Sequence, residues 1–409
     1  VRTTCVVAGG GPAGMVLGLL LARAGVRVVV LEKHDDFLRD FRGDTVHAST
    51  LRLLDELGLG ERFAALPQSR LQNLELPQPD GSRLTLGDFS RLRPPYDHVA
   101  MVPQWDLLDL LADAARQEPT FTLAMGTAAV DLLRDGRRVV GVRTRTADGV
   151  EDQVRADLVV ACDGRGSVLR RAAGLVPRSY PVPFDTWWFR LPRTPAEQRE
   201  QASLVPTLVG QEILLSFPRT DYFQVAYFNR KGMDGQLRAE GVERLRARVA
   251  RLRPGFADRL DALASTDDLH HLDVRLDRLR RWHRPGLLLI GDAAHAMSPA
   301  GGVGINLAVQ DAVATATLLA GPLRERRVQE HHLAAVQRRR SGPTAVVQLA
   351  QRGLHRLLFR PALAGRTPPA LRVVSALARR VPAVTALPAR MIAFGPRPEH
   401  APAFARRGG

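Results

Sequence analysis

Thr3-Thr4-Cys5-Val6-Val7-Ala8, followed by Gly9-Gly10-Gly11-Pro12-Ala13-Gly14, is the stretch on which the reading of this chain turns. The first six residues have the apolar character of a short strand. Residues 13–24 place Val16, Leu17, Leu20 and Leu21 at helical spacing, and Arg27 to Leu31 is a second buried strand. Together they predict a βαβ unit with Gly9-x-Gly11-x-x-Gly14 at its strand-to-helix turn and Gly18 four residues on. In such a turn the first glycine bends the chain and the second lets a pyrophosphate approach the backbone. The third lets helix pack on strand, and the helix N-terminus supplies free amides and a positive dipole end. Glu32, 18 residues after Gly14, stands where it can accept from ribose hydroxyls and would repel a 2′-phosphate. A dinucleotide site follows, but the glycines alone do not distinguish FAD from NAD.

The 409 residues allow two or three domains, and 45% hydrophobic with 24% charged residues is a globular composition, not a disordered or fibrous one. Basic residues outnumber acidic ones by 58 to 42, and only Lys33 and Lys231 are lysines. Residues 338–409 hold 14 Arg against the single acid Glu399, so +13 of the net +16 sits in the last 72 residues. The body is nearly neutral and the basicity belongs to a C-terminal appendage. Cys5 and Cys162 are too few for a disulfide framework and suit a reducing compartment. The longest early apolar run, Met15 to Ala22, is well short of the ~20 residues that span a bilayer. Val1 leads straight into a strand with no visible signal peptide. These features predict a cytoplasmic protein, at most peripheral on a membrane.

Further along, residues 49–59 and Trp105 to Gln117 read as helices. Residues 121–161 alternate around Asp135-Gly136 and Asp148-Gly149, dipeptides that close tight hairpins, and so predict an antiparallel meander. Residues 177–275 carry half of the aromatics, largely in strand-like runs, plus one charged helix at 241–253. Residues 286–291 return to a buried strand and Ile305 to Leu319 to a helix. The tail from 331 is helical in pattern but broken by prolines, Pro343 first among them.

Two later motifs bear on which dinucleotide is bound. One is Cys162-Asp163-Gly164-Arg165-Gly166-Ser167, after the strand 158–161. The other is Gly291-Asp292-Ala293-Ala294-His295-Ala296-Met297-Ser298-Pro299, continued by Gly301-Gly302-Val303-Gly304-Ile305-Asn306. Pro299 and its neighbouring glycines make a loop able to lie flat against a planar ring. The helix that opens at Gly304 would present its positive end to negative charge on such a ring.

In these three motifs, in this order, the chain resembles the single-component flavoprotein aromatic hydroxylases, the p-hydroxybenzoate hydroxylase family, over residues 1 to about 320. The resemblance implies an α/β (α+β) fold: a Rossmann-like FAD-binding domain with an antiparallel meander, a β-sheet substrate domain, and C-terminal helices. The expected boundaries are 1–75, 96–176 and 276–330 for FAD binding, 76–95 and 177–275 for substrate, and 331–409 for the Arg-rich segment.

It also implies roles. Gly9, Gly11, Pro12, Ala13, Gly14, Glu32 and Lys33 would serve the ADP half of FAD, and Arg42 and Gln104 the pyrophosphate and ribityl region. Asp163 and Gly164 would serve FAD and transient NADH or NADPH docking, and Gly291 and Asp292 the ribityl chain, with a helix cap as the plain alternative for Asp292. Pro299, Gly302, Gly304, Ile305 and Asn306 would surround the flavin ring. Arg42, His47 and Pro299 are the candidates nearest the chemistry; His295 is expected to bond locally, and no residue group has metal-ligand company.

The implied reaction is monooxygenation with FAD, NAD(P)H and O2, in which a flavin C4a-hydroperoxide hydroxylates or epoxidises an aromatic or lipophilic small molecule of aromatic or secondary metabolism. A flavin-dependent reductase of double bonds is the enzyme alternative; the halogenase signature Trp-x-Trp-x-Ile-Pro is absent. A nucleic-acid or membrane-surface binder is the alternative from another class. Against nucleic acid, the arginines of 338–380 alternate with Leu, Val and Ala as on a helix that covers one apolar face, expected to pack over the substrate cavity. Weak peripheral membrane contact through the tail is the competing expectation.

Overall fold

The first strand, Arg2–Ala8, is buried at six consecutive positions because it lies in the middle of a parallel sheet covered on both faces. A computed structural model describes residues 1–38, 45–77, 83–199, 205–366 and 386–407. In it, Arg2–Ala8 runs parallel to Val28–Leu31 on one side and to Glu151–Ala161 on the other. Phe121–Ala124 extends the sheet beyond Val28–Leu31, and Leu287–Leu289 extends it beyond Glu151–Ala161. Helix Pro12–Arg23 packs on this sheet beside Gln104–Arg116 and Gly304–Arg324, and their apolar sides form one core with it.

The expected meander is present. Strands Thr127–Asp135, Arg138–Thr146 and Glu151–Ala161 pair antiparallel in sequence, and Gly136 and Gly149 take positive φ (54° and 89°) in its two turns.

The aromatic region builds a second, antiparallel sheet in the order Val205–Val209, Glu212–Pro218, Tyr222–Arg230, Phe184–Pro192, His270–Leu272. Strand alternation divides its side chains between two faces. Trp187, Phe189, Phe223 and Tyr227 pack under the amphipathic helix Val242–Leu252. Trp188, Phe217 and Phe228 face the other way, into the space between the two sheets.

The basic appendage departs from expectation in two respects. Helix Glu330–Leu354 runs unbroken through Pro343, which is buried within it; tertiary packing outweighs the ~3 kcal/mol that proline costs a helix interior. Its arginines are not all solvated either. Arg340 is fully buried, with Nε 3.0 Å from Asp311 Oδ1 and Nη1 3.3 Å from Glu399 Oε1, and Arg339 binds Glu399 as well. The chain end is thereby drawn back onto the body, where Ala401 and Ala405 join the main core and Arg23 donates to the Ala405 carbonyl at 2.8 Å. Other tail prolines, 368, 369 and 382, lie outside the described residues. Replacing Arg340 by Leu takes one ion-pair partner from each of two buried carboxylates, and urea unfolding should show about 3 kcal/mol less stability. A loss under ~1 kcal/mol would mean that the pair holds nothing together.

Candidate active site

The glycine turn is held by contacts that exclude side chains. Gly9 has φ +106°, and a Cβ there would stand 2.4 Å from the Cys162 carbonyl oxygen; one at Gly14 would stand 1.9 Å from the Gly9 carbonyl oxygen. Gly18 performs the close helix-to-strand packing, since its Cβ would meet Val30 and Phe121 below 3 Å. Gly11 is different. Nothing lies within 4 Å of its would-be Cβ, it faces a large cavity, and no side chain caps the helix that starts after it. An open cradle at an uncapped helix N-terminus fits a pyrophosphate.

Pro12, Ala13 and Lys33 line the same part of the cavity, as does Glu32. The Glu32 carboxylate is 2% exposed and accepts from the Gly10 N–H (2.8 Å), the His34 N–H (3.1 Å) and the His34 ring (Nδ1, 2.8 Å).

Asp163, Gly164 and Asp292 line the cavity from the neighbouring strand ends. Asp163 accepts from the Ser167 hydroxyl (2.6 Å) and the Leu169 N–H (3.1 Å), so its carboxylate also organises the start of helix Val168–Ala172. Burial pushes its pKa up, against the pull of those hydrogen bonds. Asp292 caps no helix; its carboxylate is 3.3 Å from Arg165, each side chain a little over a quarter exposed. Arg170, which the sequence reading missed, staples the two motifs together: its buried guanidinium donates to the Arg165 carbonyl (2.6 Å) and the Ala293 carbonyl (3.0 Å).

Pro299, Gly302, Gly304 and Ile305 also face the cavity, at the uncapped N-terminus of helix Gly304–Arg324. Gly302 has φ +64°, and its carbonyl accepts from Thr45 Oγ1 (3.1 Å) and His47 Nε2 (3.0 Å). His47 borders the cavity but is 2% exposed, and burial drives its pKa down to about 4, so the neutral ring keeps its proton on Nε2 for Gly302.

Three expected site residues do not line the cavity. Asn306 turns its side chain to Ser49 and Thr50 and thus joins two helices, while Gly14 and Gly291 shape the turns without lining the cavity. Arg42 lies outside the described residues. His295 bonds locally, as expected, with Nε2 2.6 Å from Asp311.

The cavity continues past Gln104 to the inner face of the second sheet, where Trp188, Phe217 and Phe228 form an apolar wall ending at Arg219 and Gln224. Leu354, Leu358 and Phe359 of the C-terminal segment close it from outside. Its volume of about 1970 Å³ is roughly twice the ~1,000 Å³ at the upper end for one drug-sized ligand, enough for a dinucleotide and a second molecule.

Comparison with known proteins agrees with this arrangement. A family model described as FAD binding domain matches residues 2–350. The chain is 37% identical to 6-methylpretetramide 4-monooxygenase of Streptomyces rimosus over 96% of its own length and 93% of that protein's. It is 30% identical to rifampicin monooxygenase of Streptomyces venezuelae over 75% of its length, but spans only 62% of that larger relative. Among solved structures, the anhydrotetracycline hydroxylase OxyS of Streptomyces rimosus superposes with a TM-score of 0.77 at 24% identity, covering 100% of this chain and 80% of that one, a likeness of fold.

Gly11→Ala should fold within ~0.5 kcal/mol of the parent yet raise the Kd for FAD about tenfold or more, because the new methyl occupies ligand space. Gly14→Ala should fail to fold, since its methyl meets backbone. Equal FAD affinity for parent and Gly11→Ala, by fluorescence titration, would contradict the cradle.

His47 binds a proton at about pH 4 when folded and near 6.5 when unfolded, so its contribution is complete above pH 6.5 and is lost as pH falls from there toward 4. The loss amounts to roughly 3 kcal/mol. His47→Gln keeps a donor for Gly302 and should flatten the stability-versus-pH curve in that window; an unchanged slope would exclude the buried neutral imidazole.

Proposed function

Because the chain belongs to the FAD binding domain family and is an FAD-dependent monooxygenase, we propose that it hydroxylates a planar polycyclic aromatic compound of the polyketide type. The observation that carries this reading is the continuity of one cavity from the glycine cradle to the apolar wall of the second sheet. The cavity as a whole leaves room beside a dinucleotide for several fused rings, and the relatives named for tetracycline intermediates act on molecules of that type.

The donor set fits FAD. Gly9, Gly11, Pro12, Ala13 and Glu32 would hold its ADP half, with Lys33 beside them, and Gln104, Asp163, Gly164 and Asp292 its middle. The Pro299–Ile305 backbone would meet the ring, and Gly14, Gly291 and Asn306 would support those segments from behind. Bound there, FAD supplies the redox chemistry and oxygen activation, with NAD(P)H as the electron source.

The chain's own part is positional. The N-terminal end of helix Gly304–Arg324 favours negative charge at the adjoining ring edge. His47 and Thr45 hold Gly302 in place without introducing charge. Trp188, Phe217, Phe228 and Phe359 would keep water from the substrate end, the dry setting that the chemistry supplied by bound FAD requires. Arg165, partly exposed beside Asp292, is the cation we assign to transient docking of the nicotinamide nucleotide.

Two of the tail's arginines, Arg339 and Arg340, are engaged internally with Glu399 and Asp311 and so are not offered to an anionic partner. Among the described residues no helix is long and apolar enough to cross a membrane.

The test is oxygen uptake and NAD(P)H oxidation by the FAD-loaded protein against a panel of mono-, tri- and tetracyclic phenols. Stimulation by the larger members, with a product one oxygen atom heavier, is expected. NAD(P)H consumption that yields a saturated product without oxygen uptake would favour a reductase and overturn the proposal. Trp188→Ala should raise KM about tenfold with a smaller change in kcat.

A further inference from the structure

The backbone on either side of Pro299 is gripped by one side chain from the C-terminal helix. Gln351, 4% exposed, donates through Nε2 to the Ser298 carbonyl (2.8 Å) and the Ala300 carbonyl (2.9 Å), and its Oε1 accepts from the Ser298 N–H (3.2 Å). Both amide donors and the carbonyl oxygen are thus committed to a three-residue stretch.

One turn on, His355 Nε2 lies 2.9 Å from Ser298 Oγ, which itself accepts from the Ala300 N–H at 3.3 Å. Burial holds this imidazole neutral, with a pKa down to about 4, so the serine hydroxyl has an acceptor for its proton.

Gln351 and His355 are four residues apart and share a helix face, and Leu354 and Leu358 flank that face within the cavity wall. The helix widens to a π turn over His355–Phe359, a feature that recurs at functional positions. Phe359, at its end, packs on Phe184 (4.6 Å between centroids) and Phe228 (5.7 Å) of the second sheet. A single rigid element therefore touches the substrate space with one set of side chains and holds the Ser298–Ala300 backbone with another.

We propose that Gln351, assisted by His355, is a positioning residue that sets the flavin-facing loop in register with the substrate wall, so that filling the wall and aligning the loop are one event. This rests on the monooxygenase reading above for what the alignment achieves, but not for the alignment itself.

Two variants test it in the FAD-loaded protein. Gln351→Leu removes all three hydrogen bonds. Gln351→Glu keeps the shape and the acceptor but, when ionised, has no donor for the two carbonyls. Hydrogen–deuterium exchange across 297–304 should rise in both, whereas the glycine turn at 9–14 stays protected. FAD affinity should change less than about threefold, because the ADP half is untouched.

The fraction of NAD(P)H oxidised that ends as hydrogen peroxide should rise about threefold or more in the presence of substrate. In Gln351→Glu alone that fraction should fall back at low pH, as protonation of the new carboxyl restores a donor. A general loss of packing would not produce this pH-dependent recovery. Unchanged exchange at 297–304 in both variants overturns the positioning role whatever the activity. Increased exchange with no change in peroxide yield or in the substrate-induced shift of the FAD spectrum overturns the coupling. If the parent oxygenates no substrate, the functional proposal fails by itself, and the exchange data still decide on Gln351.

Discussion

Asp311 is a carboxylate with no access to water, and the rest of the site depends on how its charge is met. Alone, such a group would be prohibitively costly to bury. Here Oδ2 accepts from the Gly291 N–H (3.1 Å) and His295 Nε2 (2.6 Å), and Oδ1 from Arg340 Nε (3.0 Å). Although burial alone would raise its pKa, the His295 ring and the Arg340 guanidinium hold it below the usual carboxylate range. The three donors come from the turn that carries Asp292, from the segment after it, and from the C-terminal helix. Satisfying one charge therefore fixes the cavity floor relative to its cover, and Glu399 extends the constraint to the end of the chain.

The same economy governs the flavin-facing loop. Its carbonyls at Ser298, Ala300 and Gly302 would be orphaned in a glycine- and proline-rich turn that cannot form regular structure. Gln351 takes the first two, and Thr45 and His47 take the third. The loop is thus held from opposite sides by segments about 300 residues apart in sequence, while its face toward the cavity is left to the ligand. Arg170 does equivalent work between the Asp163 and Asp292 turns. Polar groups that face no ligand make the site rigid, and that rigidity leaves those facing the cavity free to bind.

The second sheet shows how one strand pattern serves two ends. Adjacent Trp187 and Trp188 point to opposite faces, one buried under helix Val242–Leu252 and the other lining the cavity. The substrate wall is the reverse side of an ordinary hydrophobic core, so its shape is set by packing that never touches substrate.

The sequence by itself determined what depends on local geometry. Gly14 is demanded by a contact within its own turn and Gly9 by the positive φ of that turn, Glu32 by its place at a strand end, and the meander by Asp-Gly pairs whose glycines take positive φ. The strand character of the aromatic runs was equally legible, though not which side chains face the cavity. Only the tertiary structure decided the rest. His47 was legible as a residue near the ring, but that it holds Gly302 depends on a partner 255 positions away. Asn306, at a helix start that reads as part of the ring site, turns to Ser49 and Thr50. Arg340, one of three consecutive arginines in a strongly basic tail, is the one drawn inside, and Gln351 carries no motif at all. The physical reason is common to them: a buried hydrogen bond or ion pair is specified by both partners, and where the partners lie hundreds of residues apart neither position alone reveals it.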